Sequence, residues 1–346
     1  MDILVFDMDG VLIDVSKSYR KTIQKTVHLY LETCLGFRKG KKDLVTSEDI
    51  SLFKSAGGFN NDWDLTSGLL LYVLSISGIP PSPKLKRFSS IDQVISHLKT
   101  ESSRFRSRRE NPIFRKNLSS FTAKVKSSGG GLAAVRRILG SLWDGWLYRS
   151  GELDRENVVK RIFQEIYLGD RFTHYYPLQP RFYQGQGYYL REKLLIPRAI
   201  LATLRRRLRM GIASGRPRFE AELALKRFRL TSYFDSVVTL DECLEEEEQL
   251  LRSTGRRVKL TKPHPYSILR VVGEAGLSAP SCGYVGDVAD DMLAARRARE
   301  NLDILAIGFL PRGREYKTME ESLLKAGADL VVKNPQALLQ ALKSLS

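Results

Sequence analysis

Cysteine and histidine are both scarce in this chain. Its three cysteines, Cys34, Cys243 and Cys282, are odd in number and widely scattered, with no C-x-x-C or Cys/His spacing. Neither a disulfide framework nor a structural zinc site is expected, which fits a reducing compartment. The four histidines, His28, His97, His174 and His264, lie equally far apart, so a His-based metal centre is not expected either. No run of about 18 apolar residues occurs, so no membrane span or membrane partner is expected. The amino terminus enters an apolar, strand-like segment at once, without a charged leader, and no secretory signal is visible. The expectation is a soluble cytoplasmic protein, and 346 residues are enough for a full core and about two domains at roughly 150 residues each.

Acidic residues are outnumbered. Lys and Arg total 56 against 39 Asp and Glu, for a net charge of +17 and a pI near 9.8. Much of the excess falls between residues 84 and 126, which hold twelve Lys or Arg and only Asp92, Glu101 and Glu110 as acids. That segment is Ser-rich and runs into Ser127-Ser128-Gly129-Gly130-Gly131. Such a composition reads as a mobile basic loop or linker spanning about 84–131, with a nonspecific capacity for phosphate.

What the chain does have is concentrated at its start. In Ile3-Leu4-Val5-Phe6-Asp7-Met8-Asp9-Gly10-Val11 an apolar stretch ends in two carboxylates two residues apart. In extended backbone, i and i+2 share a face, so both acids can converge at the carboxyl end of a strand, where open α/β sheets place their chemistry. Paired acids there suit a hard cation, or a nucleophile beside a general acid. An EF-hand loop is excluded, because its fifth and sixth places hold Val11 and Leu12. A plain Asp/Gly turn is the alternative.

Three further strand ends carry polar residues. Gly211-Ile212-Ala213 runs into Ser214-Gly215-Arg216-Pro217 before a helix, a natural anion site or an ordinary N-cap. Leu260-Thr261-Lys262-Pro263 puts a lysine where its ammonium can pair with phosphate and carboxylate. Gly283-Tyr284-Val285-Gly286-Asp287 is followed by Asp290 and Asp291, three acids that repel unless a cation or lysine neutralises them.

From about residue 196 the sequence alternates helices with short apolar strands, the pattern of a parallel sheet. Strands are predicted at 210–213, 236–239, 282–285, 304–307 and 330–332, and helices at 199–208, 218–228, 265–275, 290–298 and 335–342. Residues 15–195 read as mostly helical, with helices around 19–35, from the Thr46-Ser47-Glu48-Asp49 start, over 69–76 and over 158–167. The first strand finds parallel partners only in the C-terminal half. The predicted organisation is an α/β core of residues 1–14 plus 196–346, interrupted by a helical domain of residues 15–195.

These four elements, in this order, resemble the haloacid dehalogenase superfamily of phosphohydrolases, with its Asp-x-Asp, Ser/Thr, Lys and Gly-Asp-x-x-x-Asp motifs. The resemblance implies a Rossmann-like parallel sheet core and an inserted helical cap of the subfamily I kind. It makes Asp7 the nucleophile and Asp9 the general acid and base, with Ser214 and Lys262 completing the catalytic set. Mg²⁺ would be held by Asp7, the Asp9 carbonyl, Asp287 and Asp291, with Asp290 one position early. Gly10, Gly215 and Arg216 are placed beside the phosphate or a second anionic group. An Asp at position 9 argues for phosphoryl transfer and against dehalogenation, since only a leaving alcohol needs its proton. A sugar-phosphate mutase of the same fold remains an alternative.

The stretch Gly57-Gly58-Phe59-Asn60-Asn61-Asp62-Trp63-Asp64-Leu65-Thr66, with Ala213-Ser214-Gly215-Arg216-Pro217 and the pair Asp290-Asp291, is similar to one clade of the superfamily. Domains of that clade are sometimes fused to imidazoleglycerol-phosphate dehydratase. Asn60, Asn61, Asp62 and Trp63 are placed over the leaving group, because the preceding glycines free the backbone and the amides offer paired donors and acceptors. Capping of the next helix by Asn or Asp and a core role for Trp63 are the alternatives. The expected partner is a small phosphorylated metabolite. Nucleic acid bound by the basic segment is a further alternative, and the oligomeric state is left open.

Overall fold

The computed structural model describes residues 1–37, 44–59, 61–82, 84–106, 116–311 and 316–344. The chain divides into two compact units, Met1–Val15 with Lys193–Ser346, and Ser16–Glu192.

The first unit is built on a parallel sheet. Its strands are β1 (Ile3–Phe6), β4 (Arg209–Ala213), β5 (Ser236–Val238), β6 (Ser281–Gly286), β7 (Asp303–Phe309) and β8 (Leu330–Val332), while β2 (Ile13–Asp14) and β3 (Lys193–Leu194) form a separate antiparallel pair. The six-stranded order is β5-β4-β1-β6-β7-β8. All four residues of β1 are buried, as a central strand covered on both faces requires. Ile3, Val5, Ala213, Tyr284, Met292 and Ile304 belong to one continuous apolar cluster that extends into the helices Tyr266–Glu274 and Ala289–Ala298.

Strand order positions the site. The chain builds outward from β1 through β4 to β5, then returns to the other side of β1 with β6, so the direction of winding reverses around β1. Crevices open at the carboxyl ends of strands at such a reversal. Phe6 pairs with Ile212 on one side and Val285 on the other, which brings the residues following β1, β4 and β6 side by side.

The expected strands all form, with ends shifted by one or two residues. Within the described residues of this unit, two longer helices escaped the sequence reading, Leu240–Thr254 and Tyr316–Ala326. The first carries Glu245-Glu246-Glu247-Glu248, a solvated face with little apolar rhythm, and is held at its start by the Thr239/Glu242 capping box.

The second unit is helical, with its longer helices at Tyr19–Leu29, Asp62–Ile76, Ile91–Arg106 and Val158–Leu168. It holds 30 Lys and Arg against 16 Asp and Glu, so +14 of the +17 belongs to residues 16–192. The reading of about 84–131 as a mobile linker is corrected. Helices occupy Ile91–Arg106 and Leu118–Ser127, and Val94, Ile95, Leu98, Leu118 and Val125 are buried beneath the basic residues. Dense surface charge masked an apolar stripe at helical spacing. Residues 107–115 lie outside the described residues.

The glycine run is not a linker either. Gly131 donates its N–H to Gly57 O at 2.8 Å, and a Cβ on Gly58 would lie 2.8 Å from Gly131 N. Gly57, Gly58, Gly130 and Gly131 all have positive φ. Two glycine turns pack backbone to backbone, an approach closed to any larger residue. Among the described residues, no helix is long and apolar enough to cross a membrane.

Candidate functional site

Asp7 follows β1 directly and is 7% exposed, with its N–H donating to Val285 O at 2.8 Å. The chain then turns sharply, Leu12 and Ile13 both donating to Met8 O while Gly10 donates to Ile13 O. This turn presents Asp9 beside Asp7. Gly10 has φ +82° and faces Asp287 so closely that a Cβ would overlap the carboxylate. Its glycine is thus required by the approach of β1 and β6, a more specific reason than the phosphate contact expected of it.

Lys262 is the hub of the site. Its Nζ lies 2.6 Å from Asp7 Oδ1, 2.7 Å from Asp291 Oδ1 and 2.7 Å from the Tyr284 hydroxyl. Tyr284 in turn donates to Asp291 Oδ1 at 2.8 Å. The other Asp291 oxygen accepts from the N–H groups of Asp287 and Val288 at 3.1 and 3.2 Å. Of the two consecutive acids, the buried Asp291 therefore joins the cluster, and it braces both Lys262 and the turn that carries Asp287. A Cβ on Gly286 would collide with the Asp291 side chain, which explains the glycine before Asp287.

Carboxylate oxygens of Asp7, Asp287 and Asp291 all lie within 4.8 Å of one another. Burial, reinforced by Asp291 and Asp9, pushes the Asp7 carboxyl up to about 7 despite Lys262. Burial works against the charge on Lys262 but is outweighed by Asp291 and Asp7, which hold its ammonium well above the usual lysine range. Burial also raises the Tyr284 phenol well above its ordinary value, so it stays protonated and able to donate. One ammonium does not balance three carboxylates. An all-oxygen donor set with residual negative charge fits a hard divalent cation such as Mg²⁺.

On the β4 side, Ser214 is buried, donates its N–H to Val238 O at 2.9 Å and accepts at Oγ from Arg216 N at 3.2 Å. Its own O–H remains to be donated. Gly215 is exposed between the two buried residues. Arg216, expected within reach of a second anionic group, turns inward. Its side chain is 1% exposed and its Nε donates to Asp9 Oδ1 at 2.6 Å. These partners are 207 positions apart, so no local signal announced the pairing. Tyr284 was also missed, although a lone hydroxyl within an otherwise apolar buried strand is a readable sign of a polar task.

In the helical unit, Asn60 lies outside the described residues. Asn61 is an N-cap, its Oδ1 accepting from Asp64 N at 2.7 Å and its Nδ2 donating to Asp64 Oδ2 at 3.0 Å. Asp62 pairs with Lys54 at 3.3 Å. Trp63 meets Phe163 edge-on at 6.0 Å between ring centroids, with Lys160 Nζ 4.6 Å from its own ring centroid. The Asn61 amide is thus engaged in the helix start, the capping alternative, because a first turn with free N–H groups competes for any nearby amide oxygen.

Comparison with known proteins agrees with this arrangement. Residues 1–299 match the family model for haloacid dehalogenase-like hydrolases. The chain is 24% identical over 297 residues to an imidazoleglycerol-phosphate dehydratase of Phytophthora nicotianae, a match covering 85% of this chain but only 41% of that protein. The chain thus spans under half the length of that curated relative, which fits the likeness to domains fused to such dehydratases. Among solved structures, phosphatase Tt82 from Thermococcus thioreducens shares the fold at a TM-score of 0.52 and 20% identity, over 93% of this chain and 99% of that one. A haloacid dehalogenase-like protein of unknown function from Agrobacterium tumefaciens superposes at a TM-score of 0.49 and 16% identity, over 100% of this chain and 99% of that one. With its carboxylates gathered after β1 and β6 around one lysine, and a family match over most of its length, the chain belongs to the haloacid dehalogenase-like hydrolases.

Proposed function

We propose that this protein is a Mg²⁺-dependent phosphatase that hydrolyses a small phosphomonoester through an aspartyl-phosphate on Asp7. The observation that carries this reading is Lys262 Nζ, held 2.6 Å from Asp7 Oδ1 in a buried site that still has excess negative charge. The ammonium keeps Asp7 aligned and offsets charge on an incoming phosphoryl group.

In the first half-reaction an Asp7 oxygen attacks phosphorus and the bond from phosphorus to the alcohol oxygen breaks. Asp9 gives its proton to that departing oxygen. In the second, Asp9 takes a proton from a water molecule whose oxygen attacks the same phosphorus, and the bond to Asp7 breaks to release phosphate. The Ser214 hydroxyl and nearby backbone N–H groups hold the phosphoryl oxygens. Asp7, the Asp9 carbonyl and Asp287, supported by Asp291, would hold Mg²⁺, which supplies charge neutralisation for the phosphoryl group.

The helical unit acts as a cap that limits substrate size and admits one attacking water. Its +14 charge favours anionic metabolites by long-range attraction. The likeness to a protein named imidazoleglycerol-phosphate dehydratase makes phosphorylated intermediates of histidine biosynthesis the first compounds to try.

The test is phosphate release from histidinol phosphate, phosphoglycolate and hexose phosphates, with Mg²⁺ or EDTA, by wild type and Asp7→Asn. Magnesium-dependent release that vanishes in the variant is expected. Isomerised product without free phosphate would instead establish a mutase, and well-folded protein inert toward every ester would refute the proposal.

A further inference from the structure

Arg216 has the largest fully buried side chain among the described residues. An arginine is seldom placed so deep, because a buried charge is costly unless it is paired. Both its side chain and its backbone are held. The Nε donates to Asp9 Oδ1 at 2.6 Å, the backbone N–H to Ser214 Oγ at 3.2 Å, and the backbone carbonyl accepts from Leu240 N at 2.9 Å. The loop that supplies the serine hydroxyl therefore also delivers a cation to the back of the second aspartate.

The two ends of this ion pair differ in access. The Asp9 side chain is 27% exposed, whereas that of Arg216 is 1% exposed. A substrate can meet Asp9 and cannot reach the guanidinium, so any influence of Arg216 on chemistry passes through Asp9. Lys262 donates to Asp7 and Asp291, whereas Arg216 donates to Asp9.

We infer that Arg216 is a positioning residue that fixes the Asp9 carboxyl in line with the leaving-group oxygen. This rests on the phosphatase reading and adds to it a determinant of which leaving groups depart well. In the first half-reaction the electron pair of the breaking P–O bond goes to the leaving oxygen, and the proton on Asp9 follows it there. A leaving group that is stable as an anion needs that proton little. A basic one needs it in the transition state, with a carboxyl held in the right direction.

Rates on p-nitrophenyl phosphate, whose leaving group is a stabilised phenolate, and on phenyl phosphate, whose leaving group is more basic, separate the two cases. With Mg²⁺ and the full chain, Asp9→Asn, Arg216→Lys and Arg216→Gln are each expected to lower kcat/KM, which reports the steps through departure of the leaving group, by about tenfold or more on phenyl phosphate while lowering it on p-nitrophenyl phosphate by less than about threefold. The ratio of the two rates is measured on one preparation, so partial misfolding cancels from it. In an Asp9→Asn background, Arg216→Gln should leave the ratio where Asp9→Asn put it. An equal fall on both esters in the Arg216 variants would show that Arg216 only supports the fold, and a further shift of the ratio in the double variant would show that it acts other than through Asp9; either result overturns the inference. Failure of the wild type on both esters would overturn the phosphatase reading itself, an outcome distinct from loss of ratio control.

Discussion

Gly10 and Asp287 stand so close that a Cβ on Gly10 would overlap the Asp287 carboxylate, and Gly10 holds φ +82°. The tight turn after β1 and the acid after β6 therefore share one small volume. Gly10→Ala must displace Asp287 as well as strain the backbone. It is expected to weaken Mg²⁺ binding at least tenfold and to destabilise the fold by about 1–3 kcal/mol. Metal titration followed by thermal melting measures both effects, and unchanged magnesium affinity would refute the coupling.

The Asp7 carboxyl, pushed up to about 7 mainly by burial, has a pH consequence for the metal-free protein. The folded state holds this proton over a range in which the unfolded chain, with its ordinary carboxyl near 3.8, has lost it. The contribution to stability is thus fully present below about pH 4 and lost as the pH rises towards 7. Asp7→Asn should remove this loss and raise the metal-free melting temperature at pH 8 by several degrees, while Mg²⁺ should stabilise wild type more at pH 8 than at pH 5.5. A melting temperature for Asp7→Asn below that of wild type at pH 8 would contradict the prediction.

Tyr284 shares its hydroxyl between Lys262 and Asp291 in a fully buried setting. Tyr284→Phe keeps the ring packing but leaves two charged groups with one partner fewer. A loss of about 1–3 kcal/mol in stability and roughly a tenfold fall in kcat are expected, with KM little changed. Denaturant melts and initial rates on one substrate decide it.

In the helical unit, Asn61 provides a clean contrast between capping and substrate contact. Asn61→Asp keeps an oxygen for the Asp64 N–H and should retain stability within about 0.5 kcal/mol, whereas Asn61→Ala should lose about 1 kcal/mol. If capping is its task, kcat/KM follows stability. A large rise in KM for Asn61→Asp with unchanged melting would return Asn61 to the substrate.

Gly131→Ala tests the glycine contact. Its φ of +70° and the neighbouring Gly58 backbone leave no room for a side chain. A destabilisation of about 2–4 kcal/mol is expected, far above the few tenths of a surface linker, as read by melting of the full chain.

The catalytic half of the fold was readable because its signals are local. Apolar runs such as Ile3–Phe6 and Leu330–Val332 end in Asp, Ser or turn residues, and parallel strands buried on both faces leave an unbroken apolar stretch in the sequence. The basic segment misled because its Val94, Ile95 and Leu98 are interspersed with polar and charged residues, so composition outweighed periodicity. The glycine run misled for another reason, since a chain that is free to bend and a chain that is packed too tightly for any Cβ carry the same residue.

By itself, the sequence determined that Asp7 and Asp9 share a strand end, that Ser214 precedes a helix and that Asp287 follows an apolar strand, because each depends only on backbone repeat and nearest neighbours. Tertiary structure alone decided that Lys262 reaches Asp7 across 255 positions and that Arg216 turns inward to Asp9. It also decided that Asp291, and not Asp290, completes the acidic cluster. Charges find partners through the sheet order that sets their distances and through the burial that makes an unpaired charge too costly to keep, and neither quantity is written in any local stretch of the chain.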